Sequence, residues 1–108
     1  MNHDDLEYIQ QVISSFKQCI LSNVAYTGRV DQEFQIPFSE IEAKTGRNKT
    51  DPSLVSHYLK YLEQEGIDAE FDAEFRIVVS VDLDTLLLNP SEAQALSDAR
   101  NAYQMQQV

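Results

Sequence analysis

Two histidines, one cysteine and a large excess of carboxylates are the side chains of this chain that could do chemistry. Cys19 and His57 would act as nucleophile and base only if the fold brought them together. Cys19 falls in an apolar stripe, which predicts a buried, inert thiol. His3 sits near the start of the chain, and His57 is expected on an exposed helix face. Asp68, Glu70 and Asp72 recur at alternate positions, as do Asp82 and Asp84, so each set lines one face of a strand. Such carboxylates could take a divalent ion, although a solvated strand edge is their commoner use. No HExxH, paired CxxC or phosphate-cradling glycine loop is present. The expectation is a protein that is not an enzyme and holds no cofactor and no metal.

The basic residues are few and bunched. Residues 44–61 hold Lys44, Arg47, Lys49 and Lys60 against a single acid, Asp51, in a chain whose formal net charge is −10. Clustered Lys and Arg suit phosphate, but a sequence pI near 4.4 repels a polyanion. The overall acidity favours a partner with a basic surface, or serves solubility alone.

A length of 108 residues with 43% hydrophobic and 24% charged content predicts one soluble domain spanning 1–108. The longest apolar run, Leu86-Leu87-Leu88, is far too short for a membrane span. The opening MNHDDLEY lacks the basic and apolar regions of a signal peptide, which predicts a cytoplasmic protein, in the host cytoplasm if the gene is viral.

Periodicity sets out the elements. Leu6, Ile9, Ile13, Phe16 and Ile20 recur at spacings of 3 and 4, which predicts a first helix over 4–24 capped by Asp4 or Asp5. A polar connection over 25–33 follows. Phe34, Ile36 and Phe38 then alternate with polar residues as a short strand, held to an edge by Pro37. Ser39 and Glu42 have the spacing of a capping box for a brief helix that stops at Gly46. Asp51-Pro52 is an N-cap followed by proline at the first helical position, and the third helix should run over 52–65. Its buried face would be Leu54, Val55, Tyr58, Leu59 and Leu62. Its exposed face would be Ser53, Ser56, His57, Lys60, Tyr61 and Gln64. Ile67, Ala69 and Phe71, then Phe75, Ile77, Val79, Val81 and Leu83, alternate with polar residues as the two strands of a hairpin. Residues 85–88 read as an apolar linker packed on the core. Asn89, Pro90 and Glu92 start a last helix over 89–106, with Leu96, Ala99 and Tyr103 on its apolar face.

The resulting fold class is α+β, in the order helix, strand, helix, helix, hairpin, helix. Over residues 34–83 the segments FQIPF, SEIEAKTG, DPSLVSHYLKYLEQEG and IDAEFDAEFRIVVSVDL together resemble a winged helix-turn-helix. The resemblance implies that the third helix and its turn face a partner. Lys44, Arg47, Lys49, Ser53, Ser56, His57, Lys60 and Tyr61 are then candidate contacts to DNA or protein. The hairpin would be the wing, yet it carries Asp68, Glu70, Asp72 and Glu74 against Arg76 alone, and carboxylates beside phosphate weaken DNA binding. The favoured expectation is a small acidic protein-interaction module: a regulator, an inhibitor or an assembly adaptor. It could be encoded by a phage or other mobile element, and it could act as a DNA mimic. The alternative is a dimeric winged-helix transcriptional regulator that self-associates through its first or last helix, whose Ala95, Ala99 and Ala102 permit close approach.

Overall fold

A computed structural model of the chain describes residues 2–46, 51–72 and 74–106. It is an α+β fold with four helices and a three-stranded antiparallel sheet. The elements are α1 (His3–Thr27), β1 (Asp31–Pro37), α2 (Phe38–Thr45), α3 (Pro52–Gln64), β2 (Asp68–Phe71), β3 (Arg76–Asp82) and α4 (Pro90–Gln106). The sheet order is β1-β3-β2, so the last strand lies between the other two.

α1 exceeds its expected bounds at both ends. Asn2, rather than Asp4 or Asp5, is its cap. The Asn2 side chain accepts from the Asp5 amide at 2.9 Å, and the Asp5 carboxylate accepts from the Asn2 amide at 3.2 Å. The helix continues past Val24 until Gly28 takes the left-handed conformation at φ 70° and donates to Val24 O. α2 also starts differently from expectation. Pro37 stands at its N-cap without a side-chain bond, so Phe38 is the first helical residue and Ser39 caps nothing. α3 and α4 start as expected. Asp51 accepts from the Leu54 amide at 2.7 Å. Asn89 and Glu92 exchange bonds at 2.8 and 3.0 Å as a capping box.

The core lies between the sheet and the helices. Ile36, Ile77, Val79 and Val81 cover one sheet face and meet Ile9, Ile13 and Ile20 of α1, Ile41 of α2, and Leu54, Tyr58 and Leu62 of α3. Burying each such side chain is worth about 1.5–3 kcal/mol before entropy is charged against it. Phe16 of α1 stacks on Phe34 of β1 with centroids 4.1 Å apart. α4 packs chiefly against α1. Lys17 meets Glu92 at 3.5 Å, and Gly28 lies under the Tyr103 ring, so the two helices run side by side in the same direction.

Four expectations about burial fail. Cys19 is exposed, because in the second half of α1 the buried side chains are Ile20, Leu21 and Val24, on another side of the helix. Tyr61 is half-buried, with its ring packed on the edge of the core. In the linker after β3, which turns back on itself through a Thr85 amide to Asp82 carbonyl bond, Leu86 is buried but Leu87 is 95% exposed. Phe71 faces the core side yet lies beyond the end of the core, Phe75 stands in a left-handed turn ahead of β3, and both are exposed.

Candidate functional site

The open face of the sheet collects the acids. Antiparallel partners point to the same side, so the pairing register sorts side chains by face. Ile36 pairs Ile77 and Phe34 pairs Val79 on the core side. The intervening residues therefore leave the sheet on the other side. Glu33, Ser80 and Asp68 form one cross-strand row, and Gln35, Val78 and Glu70 form the next. Asp31 opposite Asp82 extends the same face. Asp31, Glu33, Asp68 and Glu70 are all exposed. Arg29 lies 3.7 Å from Asp31, but no described cation pairs with Glu33, Asp68 or Glu70.

Two of the four hairpin acids are engaged within the hairpin itself. The Asp72 carboxylate accepts from the amides of Glu74 at 2.8 Å and Arg76 at 3.2 Å, and from the Arg76 guanidinium at 3.1 Å. Arg76 also meets Glu74 at 2.8 Å and donates to Gln35 at 2.9 Å. Desolvation would raise the Asp72 pKa. The amides and the guanidinium outweigh it and hold the carboxyl below its ordinary value. Asp72 and Glu74 thus shape the turn, while Asp68 and Glu70 stay open to a partner. Glu33 and Asp31 were missed in the sequence because β1 joins the hairpin only through long-range pairing with β3.

Along α3, Ser53, Ser56, His57 and Lys60 are exposed, as is Lys44 at the end of α2. Tyr61 is turned partly towards the core. Arg47 and Lys49, the other two cations of the basic stretch, lie outside the described residues. α3 packs on the core side of the sheet, so its polar face and the acidic sheet face leave the molecule from different layers.

Between α1, β1 and α2 lies an open groove of about 230 Å³, with Tyr8, Val12, Phe16 and Ile36 as its apolar floor and Gln11, Glu40 and Lys44 among its polar walls. The Tyr8 hydroxyl is buried without a hydrogen-bond partner. Burial, then the facing Glu40 carboxylate, pushes this phenol well above its ordinary pKa.

Three phenylalanines meet where the hairpin turns. Phe38 stacks on Phe71 with centroids 5.4 Å apart and meets Phe75 edge-on at 6.0 Å. Among the described residues, no three His, Cys, Asp or Glu side chains are grouped to hold a metal ion. No described helix is long and apolar enough to cross a membrane. No family model, curated protein or solved structure matches this chain.

Proposed function

We propose that this chain works by binding another protein whose basic surface docks on the open, acid-lined face of the sheet, and that it acts as a regulator, an inhibitor or an assembly adaptor. The observation that carries the reading is the row-by-row placement of Glu33, Asp68 and Glu70 on one exposed face without a described cation partner. A one-signed face of this kind steers a complementary surface and rejects like-charged ones. The basic groove of a DNA-binding protein is one surface of the right sign.

The element order, with sheet order β1-β3-β2, supports reading the core unit as a winged helix in which β2 and β3 form the wing. That fold serves both DNA and protein partners, so the surface rather than the fold must choose. Carboxylates on the wing favour the protein partner. The DNA reading draws its support from α3, whose Ser53, Ser56, His57 and Lys60 are exposed along one helix.

Immobilised protein and its Glu33→Lys, Asp68→Lys, Glu70→Lys triple variant, challenged with nuclease-treated lysate, separate the readings. The expected result is a partner held by the first and released by the second. A partner retained by the triple variant would rule out this face. Asp72 is left intact because it holds the turn. A salt-sensitive shift of duplex DNA that Lys60→Glu abolishes would transfer the assignment to α3.

A further inference from the structure

The aromatic cluster at the hairpin end is an exposed apolar patch held in a fixed shape. Phe71 is 48% exposed and Phe75 67%, and both lean on the half-buried ring of Phe38. Single exposed apolar residues are ordinary, but adjoining rings are not. Phe75 adopts φ 58°, a left-handed conformation that costs a bulky residue about 1–2 kcal/mol. It is kept there by two devices. Its carbonyl accepts from the Phe38 amide at 3.0 Å, and Asp72 closes the turn, its carboxylate accepting from the Glu74 and Arg76 amides and its amide donating to the Arg76 carbonyl at 3.0 Å. Aromatic rings ordered before contact lose little entropy on binding, which is the character of an interface anchor.

Charge decides what the rings meet. The turn carries Asp72 and Glu74, and Glu70 and Asp68 lie along β2 on the sheet face opposite Phe71. The nearby cation, Arg76, is engaged by Asp72, Glu74 and Gln35. A second copy docking hairpin to hairpin would set these carboxylates against one another, and a nucleic acid would set phosphates against them. We propose that Phe71 and Phe75 form an aromatic anchor that enters an apolar pocket bordered by Lys or Arg on a partner protein. This rests on the protein-binding reading above and adds an apolar contact at the hairpin end, around the sheet edge from the acidic face, since buried aromatic anchors dominate interface energies.

A random peptide display library, panned on the immobilised wild-type chain, supplies the probe. Enriched peptides are then titrated against Phe71→Ser, against Phe75→Gly and against the Glu33, Asp68, Glu70 to Lys triple variant. Phe75→Gly removes the ring while suiting the left-handed backbone, so a loss there is not a folding failure. The expected peptides combine an aliphatic or aromatic residue with Lys or Arg, and lose about tenfold or more in affinity on both phenylalanine variants. Enrichment of acidic peptides, no enrichment, or full affinity for Phe75→Gly would overturn the anchor. Full affinity for the phenylalanine variants with loss on the triple variant would remove the anchor and leave the acidic face standing. Indifference to every variant would remove both. A wild-type dimer in sedimentation that Phe75→Gly dissociates would assign the patch to a second copy instead.

Discussion

The Tyr58 hydroxyl, midway along α3, donates a 3.1 Å hydrogen bond to the Asp5 carboxylate in the first turn of α1, and both residues are fully buried. Asp5 also closes the Asn2 capping box, so one carboxylate starts α1 and ties it to α3. Removing a donor from a buried carboxylate exposes the desolvation cost that the bond had offset. Tyr58→Phe is expected to destabilise the protein by about 2 kcal/mol. The check is urea denaturation, with a lower midpoint at unchanged slope.

Tyr8 makes the opposite prediction from the same chemistry. Its ring packs edge-on to Tyr58 at 6.4 Å, but its hydroxyl faces the Glu40 carboxylate without a well-formed hydrogen bond. Tyr8→Phe deletes an unsatisfied group and should leave stability unchanged or slightly higher. The phenol pKa is raised in the folded state, so its contribution is complete below the ordinary tyrosine value of 10.0 and is lost as pH rises beyond it. Tyr8→Phe should therefore flatten the alkaline fall in stability. Equal alkaline loss in the two proteins, followed by denaturation at stepped pH, would contradict this.

Gly28 carries two constraints that a double variant can separate. Its φ of 70° disfavours any side chain, and a Cβ there would come within 2.5 Å of the Tyr103 ring. Gly28→Ala should cost roughly 1 kcal/mol for the backbone alone, and more from the displaced ring. Tyr103→Ala in the same background should recover the ring's share and leave the backbone's. A double-mutant cycle with no coupling energy would show that the ring is indifferent to position 28.

The hairpin turn should respond to acid through Asp72. Its carboxyl pKa is depressed on folding, so the stabilisation is present above the ordinary value of 3.8 and is lost as pH falls through the lower folded value. The amide resonances of Glu74 and Arg76 report it directly, because both amides donate to Asp72. They should shift together below pH 3.8 in the wild type and stay level in Asp72→Asn.

Local signals made most of the elements legible. Asp51-Pro52 and the apolar positions of α3 mark that helix without reference to the rest of the chain, and Asn89 with Glu92 does the same for α4. The alternation from Ile77 to Leu83 placed β3 correctly because it is the central strand, with one face wholly in the core. Phe71 obeys the same alternation and is still exposed, because periodicity tells which side a residue faces and not where the core layer stops, while Phe75 leaves the alternation through its left-handed backbone before β3 begins. The acidic face was half legible. Asp68 and Glu70 lie in a local hairpin, whereas Glu33 joins them through a pairing with Ser80 that spans nearly half the chain. The role of Asp5 was hidden for the same reason: as a cap it is a local feature, but its burial depends on Tyr58.

The side-by-side packing of α1 and α4 has a consequence for how the molecule opens. α4 buries little beyond Leu96 and leans on α1, while β3 is paired on both edges and buried on one face. Amides in such unequally anchored elements exchange with solvent at different free energies. α4 should peel away as a unit well before the sheet yields, exposing the side of α1 between Lys17 and Gly28 in transient openings. Hydrogen exchange would register this as a low-energy, cooperative opening of α4, while the amides of β3 report the global unfolding limit.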